Sequence, residues 1–280
     1  MQQQTKQTLE RTAFEIRKQT LTMIRRANSG HIGGSFSIAE ILSVLYFDRM
    51  HLNPAQPHMQ ERDRLVLSQG HCAPALYAAL SLRGYFPKAD LEGFRHIDGY
   101  LSGHVEMTHI PGVDMSSGSL GQGLSVGVGM ALSAKTYHQP YTTYVILGDG
   151  EIQEGQVWEA AMCATKYKLN RLVAILDCNG LQLDSCTADI MPMEPLAAKW
   201  EAFGWHVVRT DGHNVEKVAD ALAQADACQD KPTIIIADTV KGKGVSVFEN
   251  QIRFHGGRPT AEEYTLAFAE LDAEIVKREA

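Results

Sequence analysis

The chain has 280 residues, of which 44% are hydrophobic and 21% are charged. These proportions are those of a globular protein, and they exclude a disordered or fibrous one. The formal net charge of −7 excludes the strongly basic surface of a dedicated nucleic-acid binder. A chain of this length fits one large α/β domain, so we expect a single domain over residues 1–280.

The cysteine pattern and the termini predict a cellular location. The five cysteines are scattered and form no CxxC pair, which is typical of proteins from a reducing compartment. The N-terminal stretch is polar and has no apolar core of the kind found in signal peptides. No run of about 18 apolar residues is present. We therefore expect a cytoplasmic protein that does not enter membranes.

Short apolar runs of strand length follow one another along the chain, with helical stretches between most of them. The predicted strands are 64–67, 143–147, 172–176, 205–208 and 233–237. The predicted helices are 5–27, 73–83, 118–136, 155–167, 193–203, 215–227 and 261–279. Strands that are apolar on both faces and alternate with helices indicate an α/β fold with a doubly wound, mostly parallel sheet covered by helices on both faces.

One further helix is predicted to open at Ser37. Glu40 follows three residues later and an apolar run comes next, which is the pattern of a capping box. Residues 95–117 and 240–260 are long, contain Gly and His, and show little periodicity. Loops of this length inside a compact domain are usually functional or disordered.

Unusual residues follow two consecutive predicted strands. Gly148-Asp149-Gly150 ends one strand, Asn179 ends the next, and 28 residues separate Gly150 from Asn179. Ligands of doubly wound sheets bind beyond the carboxyl ends of the strands. Carboxylate and amide oxygens are ligands for Mg²⁺ or Ca²⁺, and the flanking glycines let backbone amides approach a phosphate. Gly-Asp-Gly alone is most often only a turn; the pairing with Asn179 favours a site for a metal and a diphosphate.

This pairing resembles the signature of thiamine-diphosphate enzymes, and its surroundings resemble the transketolase family. The similar pieces occur in the family's order over residues 15–258. They are Ser29-Gly30-His31, Asp63-Arg64 with 65–71, Gly103-His104-Val105-Glu106, Pro111-Gly112-Val113, 118–123, 148–155, Asp211-Gly212-His213 and Lys241-Gly242-Lys243-Gly244. Two prolines typical of many members are missing, since Ile32 follows His31 and Val105 follows His104.

The resemblance implies site residues for thiamine diphosphate and a divalent metal, Mg²⁺ or else Ca²⁺ or Mn²⁺. The metal would be held by Asp149, Asn179 and the backbone carbonyl of Leu181. The residues implied to contact the cofactor are His71, Gly118, Ser119, Leu120, Gly148, Asp149, Gly150, Glu151, Asn179 and Leu181. The residues implied to be catalytic are His31, His71, His104, Glu154 and His255, with Glu154 in a proton network between subunits.

The resemblance covers only the first half of a full-length transketolase. It implies an N-terminal subunit that transfers a two-carbon ketol unit from a ketose phosphate to an aldose phosphate. The pyrimidine-binding and C-terminal domains, with the carboxylate that activates the cofactor, would lie on a separate C-terminal subunit in an α₂β₂ hetero-oligomer. The sequence leaves the donor open, sulfonated and branched sugars included.

Other hypotheses are compatible with parts of the sequence. A subunit of a deoxyxylulose-phosphate-synthase-like or dihydroxyacetone-transferring enzyme is one, and a non-catalytic scaffold homologue is another. A generic nucleotide binder would need a Gly-rich turn directly after the first strand, where Ser68-Gln69-Gly70-His71 stands instead. Lys241 and Lys243 could neutralise a phosphate, but lysines that flank glycines are more often part of a solvated loop, which is the interpretation preferred here. His213 also matches the family and is interpreted as a turn and cap residue.

Overall fold

The computed structural model describes residues 1–279. Its α-helices are α1 (Gln3–Ala27), α2 (Ile32–Ser37), α3 (Ala39–Val44), α4 (Ala73–Arg83), α5 (Gln122–Thr136), α6 (Gly155–Lys166), α7 (Thr187–Ile190), α8 (Leu196–Ala202), α9 (Val215–Ala227) and α10 (Ala261–Lys277). Its strands are β1 (Arg64–Leu67), β2 (Thr143–Gly148), β3 (Leu172–Cys178), β4 (Leu181–Gln182), β5 (Ser185–Cys186), β6 (His206–Asp211) and β7 (Thr233–Asp238).

A five-stranded sheet forms the centre of the fold. Its order is β1-β2-β3-β7-β6, and every neighbouring pair is parallel. All five predicted strands are present, and four of them extend one to three residues further at their carboxyl ends. A separate hairpin of β4 and β5, which the periodicity does not predict, follows the end of β3. The predicted doubly wound α/β fold is confirmed.

Both faces of the sheet are buried under helices. Along β3, Val173 and Ile175 point into one hydrophobic cluster, while Ala174 and Leu176 point into the other. Helices α1, α3, α4 and α9 belong to the cluster on the first face, with α10 packed on α1, and α5, α6 and α8 belong to the cluster on the second. This arrangement explains why the strands are apolar at every position rather than at alternate ones. No helix within residues 1–279 is both long and apolar enough to cross a membrane.

The helix predicted to open at Ser37 is present as α3 but begins at Ala39, and the predicted capping box is wrong. Ser37 is the last residue of α2, and its hydroxyl donates to Asp177 at 2.6 Å. Glu40 is 6% exposed and accepts a hydrogen bond from the fully buried Arg17 at 2.5 Å. A buried guanidinium needs a counter-charge, and Glu40 is used for that purpose instead of for a cap.

We expect Glu40→Gln to lower the free energy of unfolding at pH 7 by about 3 kcal/mol, because it leaves the Arg17 charge buried without a partner. Burial alone would raise the pKa of Glu40, but Arg17 and His213 outweigh it and lower the pKa to about 2. The carboxylate therefore stabilises the fold above the pKa of an unfolded Glu, about 4.3, and that contribution is lost as the pH falls through the folded value.

Urea unfolding at pH 7 and at pH 3 measures this difference. The control is Glu92→Gln, which removes an exposed carboxylate from a surface pair with Arg26 and is expected to change stability by less than about 1 kcal/mol. Equal losses for the two variants would contradict the assignment of the buried pair.

Helix α5 begins at Gln122, four residues later than predicted. Gly121, which precedes it, has a φ of 83°, and a Cβ there would lie 2.7 Å from Cβ of Glu154. A glycine is required at such a position for both reasons. Because 118–121 are not helical, this segment is free to run along the carboxyl ends of the strands.

Candidate active site

A cavity of about 150 Å³ lies beyond the carboxyl ends of β2 and β3. Its lining includes the predicted residues His71, Leu120, Gly148, Asp149, Gly150, Glu151, Asn179, Leu181 and His255, together with Lys241. This is the edge at which doubly wound sheets bind their ligands. We refer to this cavity as the cleft.

Asp149 and Asn179 occupy the same rim of the cleft. Gly148 pairs with Asp177 across β2 and β3, so the two residues that follow the strands are brought together. One oxygen of Asp149 accepts a hydrogen bond from the amide of Gly180 at 2.6 Å, directly beside Asn179. The other accepts from the amide of Gly150 at 2.8 Å.

The charge environment of Asp149 fits a cation. Burial, and next the negative charge of Asp177, raise the pKa of Asp149 to about 7, although the amides of Gly180 and Gly150 oppose this shift. A carboxylate whose charged form is disfavoured in this way is stabilised by an adjacent positive charge. The oxygens of Asp149, Asn179 and Leu181 form the kind of donor set that Mg²⁺ or Ca²⁺ prefers.

Asp177, within β3, supports this rim through hydrogen bonds, and the sequence patterns did not identify it. Its side chain is fully buried and accepts hydrogen bonds from Ser37, from Thr239 and from the side-chain amide of Asn179, the last at 3.1 Å. The contact to Asn179 fixes which way that amide points, since its nitrogen must face Asp177. The available signal was an acid at the end of an otherwise apolar strand.

Lys241 is part of the cleft and not of a solvated loop, so that interpretation was wrong. It is only 3% exposed, and burial lowers its pKa. Its ammonium group donates to the carbonyl of Leu181 at 2.9 Å and lies 3.0 Å from Nδ1 of His255. The ammonium group of Lys241 is therefore in contact with the carbonyl oxygen that is predicted to be the third metal ligand. Lys243 is partly exposed and pairs with Glu249.

Four histidines from four separate segments form a cluster over the cleft. The ring of His31 lies 5.1 Å from that of His71, 5.5 Å from that of His255 and 6.1 Å from that of His104, measured between centroids. The rings of His71 and His255 lie 5.3 Å apart. The structure thus brings together all four histidines predicted to be catalytic.

These histidines are held in their neutral form. Burial, and next the neighbouring His255, lower the pKa of His31 to about 4, and burial with a nearby lysine lowers that of His255 to about 4. The pKa of His71 is shifted well below its usual value, chiefly by burial. The buried Nδ1 atom of His31 has no hydrogen-bond partner in residues 1–279. Neutral imidazoles can accept or donate protons at a bound ligand.

Glu151 is a buried residue of the cleft lining, and its carboxylate supports the backbone of the cleft. Its carboxylate accepts hydrogen bonds from the amide of Gly121 at 2.9 Å, from the amide of Gly148 at 3.0 Å and from the hydroxyl of Ser68. These bonds join the segment before α5 to the end of β2. Glu151 therefore shapes two walls of the cleft through their main chains.

The remaining predicted residues lie outside the cleft or at its margin. Gly118 and Ser119 are exposed, and a Cβ at Gly118 would touch the ring of His104. Glu154 is exposed at the N-cap of α6 and does not line the cleft. The predicted role of Glu154 between subunits stays a prediction.

Comparison with known proteins gives a family. Residues 9–272 match the family model described as transketolase, thiamine diphosphate binding domain. The chain is 48% identical over 266 residues to a 6-deoxy-6-sulfo-D-fructose transketolase subunit of Clostridium sp. (strain MSTE9), covering 95% of this chain and 97% of that one. It is 41% identical over 273 residues to an apulose-4-phosphate transketolase subunit of Phocaeicola vulgatus, covering 98% and 97%.

The solved transketolases are longer than this chain. The transketolase of Campylobacter jejuni superimposes with a TM-score of 0.89 and 32% identity, over 97% of this chain but only 45% of that protein. The chain therefore spans less than half of the solved structure, whereas it spans nearly all of the two subunits. It belongs to the transketolase family, as an N-terminal subunit that carries the thiamine-diphosphate-binding domain.

Proposed function

We propose that the cleft binds the diphosphate end of thiamine diphosphate through a divalent cation. The observation that carries this proposal is the convergence of Asp149, Asn179 and the Leu181 carbonyl on a cavity where a lysine ammonium already contacts the third oxygen. These oxygens suit Mg²⁺, with Ca²⁺ or Mn²⁺ as alternatives. Lys241 adds a positive charge for the diphosphate.

The residues of this chain would bind, orient and move protons. When bound, thiamine diphosphate supplies the nucleophilic carbon and electron sink needed to cleave a carbon–carbon bond of a ketose. His71 and His255 line the cleft, and the rings of His31 and His104 lie beside them. Their neutral rings would exchange protons with carbonyl and hydroxyl oxygens of the sugar.

The other half of the site would come from a second chain. Both similar split proteins are named as subunits, and this chain spans 40% of the human transketolase, to which it is 41% identical. We propose a C-terminal subunit that contributes the pyrimidine-binding half, and an α₂β₂ assembly. The scattered cysteines, all free within residues 1–279, support a cytoplasmic location.

The proposed reaction moves a two-carbon ketol unit from a ketose phosphate to an aldose phosphate. A sulfonated ketose is a second candidate donor, because the relative at 48% identity is named as a 6-deoxy-6-sulfo-D-fructose transketolase subunit. A panel of fructose 6-phosphate, xylulose 5-phosphate and 6-deoxy-6-sulfofructose, each assayed with the same aldose acceptor, separates the candidates by kcat/KM.

We expect the isolated chain to show no ketol transfer, because the groups that bind the pyrimidine and activate the cofactor are proposed to lie on the C-terminal subunit. Adding the C-terminal subunit, with Mg²⁺ and thiamine diphosphate, should restore transfer. A coupled assay of the released aldose measures it. The control is the same mixture with Asp149→Asn in this chain, which reports any contaminating transketolase. Turnover by the purified chain alone would refute the split site.

A further inference from the structure

His213 bridges two parts of the fold outside the cleft. Its Nδ1 atom lies 3.0 Å from a carboxylate oxygen of Glu40, and its Nε2 atom lies 2.7 Å from the backbone nitrogen of Val240. An amide N–H can only donate, so Nε2 must be the acceptor. The hydrogen of the neutral ring is then on Nδ1, where it faces the carboxylate. Asn214, and not His213, caps helix α9.

The Glu40 end of this bridge is rigid. Glu40 follows the start of α3 and pairs with Arg17 of α1, whose guanidinium also donates to the carbonyl of Phe36 at 3.0 Å. Arg17 and Glu40 are both buried. A carboxylate that is hydrogen-bonded to one imidazole nitrogen fixes the orientation of the ring and leaves the other nitrogen as an acceptor.

The Val240 end leads directly to the cleft. Val240 immediately precedes Lys241, and the amide of the next residue, Gly242, donates to the carbonyl of Gly33 at 3.0 Å. A Cβ at Gly33 would lie 2.8 Å from Cγ of Lys241, so the lysine stem runs in close contact with α2. A displacement of the main chain at Val240 would therefore move the ammonium group of Lys241.

We propose that His213 is a positioning residue, which holds the Val240 amide so that Lys241 points its charge at the diphosphate of the cofactor. This inference rests on the proposed function, because it takes the diphosphate as the group that Lys241 meets. His213 itself contacts neither the cleft nor the metal-ligand residues. Its effect on the cofactor passes through the main chain between Val240 and Lys241.

Two conservative variants separate the two ends of the bridge. The amide of asparagine reaches only as far as Nδ1, so His213→Asn keeps the contact to Glu40 and loses the acceptor for Val240. The longer His213→Gln places a carbonyl oxygen near the position of Nε2 and keeps that acceptor. Both side chains are polar and neutral, so the pair is matched for burial and charge.

The test measures the Kd of thiamine diphosphate by calorimetry, at saturating Mg²⁺, for the complex of this chain with its C-terminal subunit. We expect His213→Asn to raise Kd about tenfold, equivalent to about 1.4 kcal/mol, and His213→Gln to stay within about twofold of the wild type. Equal Kd values for the two variants would overturn the positioning role. A wild-type complex that does not bind the cofactor would instead refute the proposed function.

A double-mutant cycle with Lys241→Met distinguishes positioning from a general structural effect. If His213 acts through Lys241, His213→Asn should change Kd by less than about twofold once Lys241 is replaced, since effects that share one route are not additive. The same fold-change in both backgrounds would overturn the inference.

Hydrogen exchange of the Val240 amide supplies a readout that needs no cofactor. In the complex without thiamine diphosphate, this amide should exchange at least about tenfold faster in His213→Asn than in His213→Gln, because only the first variant lacks its acceptor. Unchanged protection in His213→Asn would show that the imidazole does not hold this amide, and would overturn the proposal even if binding is altered.

Discussion

Asp149→Asn should abolish metal-dependent cofactor binding by this subunit without unfolding it. The carboxylate is the one charged group among the three oxygens proposed to hold the cation, and an amide cannot replace its charge. We expect the affinity of the two-chain complex for thiamine diphosphate in Mg²⁺ to fall by at least about 100-fold, beyond the 10–100-fold typical of residues that only support a ligand. Calorimetry with and without Mg²⁺ measures this loss.

The same substitution should not destabilise the metal-free chain at pH 8. The folded pKa of Asp149, about 7, lies above that of an unfolded Asp, about 3.9. The unfolded chain therefore releases its proton first, and the wild type loses stability as the pH rises through this range. The amide of the substituted side chain does not ionise, and this offsets the loss of one acceptor oxygen for the amide of Gly150 or Gly180. The variant should therefore keep a free energy of unfolding within about 1 kcal/mol of the wild type in urea at pH 8.

A matched control is Asp98→Asn, which changes an exposed carboxylate in the loop that follows α4. This variant should alter neither the affinity for the cofactor nor the free energy of unfolding. Retained cofactor affinity in Asp149→Asn would show that the cation is held elsewhere. A large loss of stability would show that Asp149 supports the fold and not the ligand.

Asp177→Asn should damage both the fold and the cofactor site. Asn offers one acceptor oxygen and an NH₂ group where the buried carboxylate accepts from Ser37, Thr239 and Asn179. The NH₂ group must then face either Thr239, whose hydroxyl would have to accept instead of donate, or the amide nitrogen of Asn179, where two donors would meet. We expect the free energy of unfolding to fall by about 3 kcal/mol.

The cofactor should also bind less tightly to Asp177→Asn, by about 10–100-fold, because the Asn179 amide loses the partner that orients it. Urea unfolding and calorimetry on the same preparations give both numbers. Thr239→Val is a milder variant, which removes one donor and should cost about 1 kcal/mol. Asp189→Asn, at an exposed site with a single hydroxyl neighbour, is the control for the chemical change.

The two aspartates thus play opposite parts in the same site. Asp177 accepts hydrogen bonds from three side chains, whereas Asp149 has two backbone amides and a negative neighbour. A fold that leaves one buried carboxylate short of positive charge is suited to bind a cation there. An Asp177→Asn variant with normal stability and normal affinity would contradict this division of roles.

The carboxyl-terminal edge of the sheet is the part of the site that local sequence patterns predicted. Gly148-Asp149-Gly150 and Asn179 follow apolar runs whose length and composition indicate buried parallel strands, and such strands place their ends at one edge. Helix α4 and strand β1 also have the predicted bounds, because apolar runs in the sequence define them. The histidines were identified through the resemblance, since spacing alone does not distinguish them from the others.

The sequence by itself determined the main helices and strands, the parallel sheet and the edge at which Asp149 and Asn179 meet, because these follow from hydrophobic periodicity and chain direction. Only the tertiary structure decided that Lys241 is buried, that Glu40 neutralises Arg17 and that Asp177 orients Asn179. Each of these roles needs a partner from a distant part of the chain, as the buried Asp177 needs the hydroxyl of Ser37 as a hydrogen-bond donor. Charge pairing and desolvation depend on residues that are close in space but distant in the chain, so a local sequence pattern does not predict them.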